Sequence, residues 1–488
     1  MNDKRATLAG RFWGIRLADL GLVVVGLLIS LPTCAEMLSP DIFNVQRGVP
    51  QYGDGVITPG ASCTDVPSSS ILSFRDALDR ALCHDPKVRG AWQDIKVRAA
   101  QLGQAKAAFL PTISADYQAI RDNSKTDVHD HPTLSSSNHA LIQTADISAN
   151  LVLWDFGSRA AASRAARELM LASAESYRAA LQTAYATVAK DYYATLGAAG
   201  AAVAMKDAML AAKGTATAAR ARVEHGASAI SDQLQAETSY QQAIYDSQKA
   251  DSDLRAAKGI LAIDMGQDPT LPYSLPDITE AQQLSGTADS SIKEMLEEAT
   301  DTDPSIASAL AQLNAAQAQA DKIRADGLPT LSLTSKYTRN NQPASLGLGV
   351  PQYPASGRDS YVGIQVRIPI FEGFTRAYQI SEARAKVAEQ EESVRDARKQ
   401  VAAGVWTDYE SVTANEENML STERLMEVAE RSFDAASHRY QVGAGSILEV
   451  LNAQTALARA QKQRVSSLAD FATATLQLAA KLGRLQDR

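Results

Sequence analysis

Aromatic residues are scarce in this chain, 6% of 488 positions, although apolar residues reach 45%. Alanine makes up much of the difference, and alanine is the strongest helix former and a poor filler of cores. A length of 488 residues also exceeds what one compact core usually organises. These features exclude a large globular core and favour long helices packed closely along their sides. A basic excess is missing too: the net charge is −8, which argues against nucleic acid as a partner. There is no Gly-x-Ser-x-Gly, no His-Glu-x-x-His and no phosphate loop, so the chain does not read as an enzyme and no cofactor or metal is expected. His129-Asp130-His131, with His139 nearby, has loose spacing among polar residues and reads as a solvated loop rather than a metal site.

Long apolar runs are nearly absent. The one that stands out, Leu20 to Leu31, follows Lys4, Arg5, Arg11 and Arg16 and falls short of the ~20 residues of a spanning helix. It reads as a signal peptide over 1–35, cut after Ala35. Leu31, three residues before Cys34, supplies a rival reading, a lipid anchor at Cys34, which Pro32 and Thr33 fit poorly. No later run is long enough for a transmembrane helix. An exported chain meets an oxidising compartment, so a Cys63–Cys83 disulfide is the expectation, tying the extended N-terminal segment 36–71 to the first helix. The alternative is two free thiols.

What is present is a duplication. Asp85-Pro86 recurs as Asp303-Pro304, Leu110-Pro111-Thr112 as Leu328-Pro329-Thr330, Trp154-Asp155 as Phe371-Glu372, Arg159 as Arg376 and Gly226 as Gly443. The order is kept and the offset is 217 or 218 throughout. Two units result, 72–270 and 292–488, joined by a proline-rich linker at 271–291. In each unit Asp caps a helix and the following proline suits its first position. Segments of period two come next, about 110–120 and 144–154 in the first unit and 328–338 and 360–370 in the second, and these read as strands. Polar or Gly/Pro-rich loops join them at 121–140 and 338–360. Helical hairpins follow over 157–266 and 375–484, each turning on a glycine. Their long first arms, at 1.5 Å per residue, span roughly 100 Å.

The strands alternate apolar and polar and have the length that crosses a hydrocarbon layer when tilted. Four strands cannot close, and open edges are not tolerated in lipid, so chains must combine. Two chains would supply eight strands and three would supply twelve; period and length do not choose. The expected fold class is an α+β membrane protein of duplicated strand–strand–long-hairpin units.

The duplicated unit, the Leu-Pro-Thr before each first strand, the strand exits LVLWDFGSRAAASRAA and IPIFEGFTRAYQISEA, and the turns VEHGASAISD and YQVGAGSILEVLNAQ resemble the TolC family of outer-membrane efflux and secretion channels. The resemblance implies a homotrimer with a twelve-stranded barrel in the outer membrane of a Gram-negative cell and a periplasmic helical barrel beneath it. It implies an exit duct of a tripartite efflux pump or type I secretion system, docked by a periplasmic adaptor and an inner-membrane RND or ABC transporter. By position in the motif, Glu449 and Asn452 fall at the pore constriction, where Asn452 departs from the family's second aspartate. Tyr440, Ser231 and Asp232 match a latch that closes the periplasmic end, while Gly445 replaces a basic member of it. Gly226 and Gly443 supply positive φ at the turns and, with Gly445, form a surface for the adaptor. Trp154, Phe371, Tyr117 and Tyr337 fit interfacial aromatic belts, and Lys336 and Arg367 a hydrated lumen. The alternative function is a periplasmic coiled-coil adaptor or scaffold.

Overall fold

A computed structural model describes residues 41–52, 71–278, 291–342 and 354–485. The expected signal peptide with Cys34, then Cys63, the linker at 279–290 and the loop at 343–353 lie outside these residues. The stretch up to Gly48 is a unit of its own, a 3-10 turn at Val45–Gly48 with Asp41 accepting from the Val45 and Gln46 amides. The second unit, Val49 to the C-terminus, carries everything below.

Its first repeat runs α1 (Phe74–His84), α2 (Pro86–Ala107), β1 (Thr112–Thr126), β2 (Ser136–Trp154), α3 (Ser158–Glu224) and α4 (Ile230–Asp264). The second runs α5 (Ile292–Thr302), α6 (Pro304–Ala325), β3 (Thr330–Asn340), β4 (Gly357–Arg367), α7 (Thr375–Gln441) and α8 (Ile447–Lys481). Corresponding helices match in length: 11, 22, 67 and 35 residues in both repeats. Asp85 Oδ1 accepts from the Lys87 amide at 2.6 Å and Asp303 Oδ1 from the Ser305 amide at 2.7 Å, so each Asp-Pro starts a helix by filling a free N–H. The short helices α1 and α5 precede these caps and were not evident from the pattern. Cys83, near the end of α1, is disulfide-bonded.

The four strands form one antiparallel sheet in sequence order. Its register puts Ile113 opposite Ala149 and Ala115 opposite Ile147, and on the other face Ser114 opposite Ser148, whose hydroxyls lie 2.8 Å apart. On that polar face Asp146 accepts from Thr338 Oγ1 at 2.6 Å and lies 3.4 Å from Lys336 Nζ. Ile113, Ile147, Val362, Ile364 and Val366 on the apolar face are exposed. Two boundaries differ from expectation. β1 and β2 run on to Thr126 and back to Ser136, which shortens the 121–140 loop. The extra residues, among them Asp122, Ser124 and Lys125, are polar on both faces, so the ladder continues where period two has ended. β4 stops at Arg367 rather than near 370, because its partner ladder ends at Thr330 and Pro369 has no N–H to offer.

Sharp elbows join sheet to helices. Phe156 and Gly157 in one repeat, Gly373 and Phe374 in the other, have positive φ. Arg159 Nε donates to Asp155 at 2.8 Å and Nη1 to the Val152 carbonyl at 2.7 Å; Arg376 Nε donates to Glu372 at 3.0 Å. Each elbow shows a T-shaped aromatic pair, Trp154 with Phe156 and Phe371 with Phe374.

The long helices are the walls. α3 packs against α2 and α6 over one half and against α4 and α8 over the other, whereas α7 packs against α6, α8 and α5. The consequence is uneven burial. α3 buries 20 residues, many of them alanine, which permits close approach; α7, equally long, buries 7. Trp406, Leu420, Leu425 and Val428 on α7 are exposed, as are Ile230, Leu234, Tyr245 and Ile260 on α4. The sheet likewise ends in two edge strands, β1 and β4, each paired on one side only.

Candidate functional site

The hairpin turns lie at the ends of α3 and α7 far from the sheet. Both are built alike. The Gly226 amide donates to Val223 O and the Ala227 amide to Arg222 O; the Gly443 amide donates to Tyr440 O and the Ala444 amide to Arg439 O. Gly226 has φ +72° and Gly443 φ +79°, the left-handed residue that such a helix end requires. Gly445 has a different reason for being glycine: a Cβ there would sit 3.0 Å from Arg439 Cβ and 3.2 Å from the backbone of Arg439 and Tyr440.

The side chains around the turns differ. In the second turn Ser446 caps α8 by accepting from the Glu449 amide at 3.3 Å, and Glu449 Oε2 lies 3.7 Å from Arg439 Nη1. Glu449 is thus exposed at a helix start with its charge partly met by its own chain; Asn452 is exposed one turn on. In the first turn Ala229 stands at the N-cap of α4 and offers no side-chain cap. Ser231 Oγ lies 3.5 Å from Asp232 Oδ1, and no cation pairs with Asp232 among the described residues. This hairpin is tied instead by Arg220 Nη2 to Glu237 at 2.5 Å. Hydrogen bonds from Gln233 and Arg220 hold the Glu237 carboxyl below its usual range.

Tyr440 does not meet Ser231 or Asp232 within the chain. It is 8% exposed, packed among Ala216, Ala219, Ala236, Ile447, Val450 and Leu451, a cluster that joins α3, α4, α7 and α8. Its hydroxyl is buried without a hydrogen-bond partner among the described residues. Its partner is a residue the pattern did not single out. Arg222 Nη1 donates to Tyr440 O at 2.6 Å, with the guanidinium carbon 4.6 Å from the ring centroid. The signal was available: Arg222 and Arg439 are the same position in the two repeats.

A second divergence lies where α4 and α8 end. Asp264, beside Asp191 and near Asp85, has its pKa pushed up to about 6, first by burial, then by hydrogen bonding and repulsion from Asp191. The corresponding positions hold Lys481, Asp408 and Asp303, which together line a cavity of about 410 Å³. Burial raises the Asp408 pKa while Lys481 pulls it back. No cluster with metal-ligand spacing occurs among the described residues. His129 is fully exposed.

A duplicated sheet-and-hairpin unit with an outward apolar face and long helical walls invites comparison with known channels. The model of the outer membrane efflux protein family matches residues 77–261 and 295–484, one stretch on each repeat. The chain belongs to the outer membrane efflux protein family. Protein CyaE of Bordetella pertussis is 30% identical over 417 residues, 85% of this chain and 84% of that protein. Outer membrane efflux protein BepC of Brucella suis is 26% identical over 420 residues, 84% and 85% of the two chains. The solved structure of the channel CusC superposes with a TM-score of 0.72 at 19% identity, over 84% of this chain and 91% of that one. This efflux-family member is an outer-membrane exit duct of a Gram-negative cell, a channel and not an enzyme, and the adaptor alternative falls away.

Proposed function

We propose that three copies of this chain form the exit duct of a tripartite efflux pump or type I secretion system. The observation that carries this is the pair of unfinished edges. One edge ends in β4 and the sparsely buried α7, the other in β1 and the exposed apolar residues of α4. Lipid does not tolerate free strand edges, so neighbours must pair β4 with β1 until the ring closes. The same step covers Trp406 and its neighbours. Native mass spectrometry of the detergent-extracted protein, with Trp406→Asp as the edge-breaking variant, tests it. Three copies, falling to fewer in the variant, supports the reading; a stable monomer of the unaltered chain overturns it.

The tips then converge at the periplasmic end. There Glu449 and Asn452 line the constriction, three carboxylates favouring cations, with Arg439 reducing the effect. Ser231 and Asp232 face the neighbouring chain, while Tyr440 stays inside its own four-helix cluster, and the turns at Gly226, Gly443 and Gly445 face a periplasmic adaptor that connects to an RND or ABC transporter. Site-specific photocrosslinking from His225 and Val442 in cells checks the docking surface; no adduct with another protein from either turn argues against it.

A further inference from the structure

The outward face of the sheet changes character toward its loop end. Near the helices its rows are apolar: Leu151, Leu333 and Ile364 lie side by side, and the next row is Ile113, Ala149, Ser335 and Val362. Then come Ala115, Ile147, Tyr337 and Ser360, and after them Tyr117, Ala145, Arg339 and Arg358. Further on, Arg121 stands opposite Leu141 on the same face. All three arginines are exposed. From Leu331 to Arg339 the strand rises roughly 27 Å, about 20 Å in height at the usual tilt, which puts the arginines near the border of an apolar band about 25 Å tall. Tyr117 and Tyr337, both exposed, stand at the same border, where aromatic girdles sit.

Arg339 and Arg358 are directly opposed, and like charges so placed repel. Among the described residues no acid forms an ion pair with either of them or with Arg121. Their acidic neighbours in sequence, Asp122 and Asp359, fall on the other, polar face by alternation, Asp359 opposite Thr338. The 341–356 connection between β3 and β4 contains no acidic residue at all. Lys125 is the contrast: it shares the outward face and is met by Asp127 at 2.9 Å. The counter-charge of the arginine row therefore has to come from outside the protein. A phosphate accepts from two guanidinium forks at once, which turns their repulsion into a shared contact.

We propose that Arg339 and Arg358, with Arg121 beyond them, bind the phosphate groups of lipid A, the phosphorylated glycolipid of the outer leaflet, on the lipid-facing rim of the sheet. The proposal rests on the reading of the helical tips as the periplasmic end, which sets the loop end of the sheet in the outer leaflet. Two measurements on the full chain keep the two claims apart. In the first, the detergent-purified protein is titrated with bisphosphorylated lipid A, with the same lipid stripped of its phosphates and with phosphatidylglycerol, with inorganic phosphate as competitor, and bound lipid is read by native mass spectrometry. Removing both charges, Arg339→Gln with Arg358→Gln, lowers the apparent affinity for bisphosphorylated lipid A by about thirtyfold, and Arg358→Gln alone lowers it by about fivefold, the loss expected for each cation beside a charged lipid surface. The single variant, at an exposed position, decides the matter where the double one assembles poorly. Lys125→Gln leaves the affinity unchanged, since Asp127 already meets that charge. In the second, an impermeant maleimide applied to intact cells labels Thr133→Cys, in the connection between β1 and β2, above the level of the unaltered chain. Labelling together with unchanged affinity in the arginine variants overturns the phosphate contact and leaves the orientation standing. Absence of labelling overturns the orientation and the outer-leaflet partner with it. Equal binding of the stripped lipid or of phosphatidylglycerol, or displacement of lipid A by inorganic phosphate, overturns the assignment to lipid A.

Discussion

At 222 and again at 439 an arginine stands in the last turn of a 67-residue helix, followed by the same glycine turn and the same 35-residue return. One arginine bonds across hairpins and the other within its own. Two positions before each turn's cap-and-glycine pair, the residues also differ: Val223 is half-buried and Tyr440 buried. At the opposite end of the return helices, Asp191 faces Asp264 in the first repeat, while Asp408 has Lys481 in the second. Duplication has held helix lengths and turn geometry constant and let the side-chain pairings drift. The physical reason is that lengths and turns are shared by every neighbour in the wall. A surface pairing concerns two residues and contributes little by itself.

The comparison can be broken most readily at Tyr440. Tyr440→Ala removes a buried ring from a four-helix cluster and costs about 3 kcal/mol locally, against less than about 1 kcal/mol for Val223→Ala. Hydrogen exchange over 436–451 should show a large loss of protection in the first variant and little over 219–234 in the second; equal losses would make the two tips equivalent after all.

The carboxyl pair comes next. The folded-state pKa of Asp264, about 6, lies above its ordinary 3.8, so the native state holds the proton more tightly. Stability is therefore unpenalised below the ordinary value, falls as pH rises from there to about 6, and stays reduced above. Asp264→Asn should raise stability at pH 8 and not at pH 3.5, by an amount on the order of 1 kcal/mol once solvent screening is allowed for, read as a higher melting temperature at pH 8 only. Lys481→Gln should act oppositely at pH 8, leaving Asp408 without its cation. A gain from both substitutions would contradict the assigned partners.

Caps give a smaller contrast. Ser446→Ala should lower stability by about 0.5–1 kcal/mol, and Ala229→Ser should raise it by no more than that, since of the two return helices α8 alone has a side-chain cap. Smallest is Glu449→Gln, an exposed charge already near Arg439. Little change in melting is expected, with a modest loss of cation preference in bilayer recordings; an unaltered preference removes Glu449 from the constriction.

Much of this fold could be read from the chain. Asp-Pro caps, Gly226 and Gly443 and the period-two segments are local signals, each set by a few neighbouring residues, and they located the helices, turns and sheet core. Strand ends were less legible, because toward the loop between them both faces of β1 and β2 are polar and alternation stops. Of the tip residues, Tyr440 and Glu449 were found by motif position, but their partners were not. Arg222 and Arg439 occupy the same position in the two repeats, and only the packing of the helices against one another decides which arginine reaches a foreign carbonyl. By itself the sequence determined the repeat, the long helical hairpins and the alternation of the strands, all consequences of local periodicity. Which charges meet, which are left unmatched at Asp232 and Asp264, and which edges stay open on α7 and β4 were decided by tertiary structure, because those depend on distances between residues hundreds of positions apart.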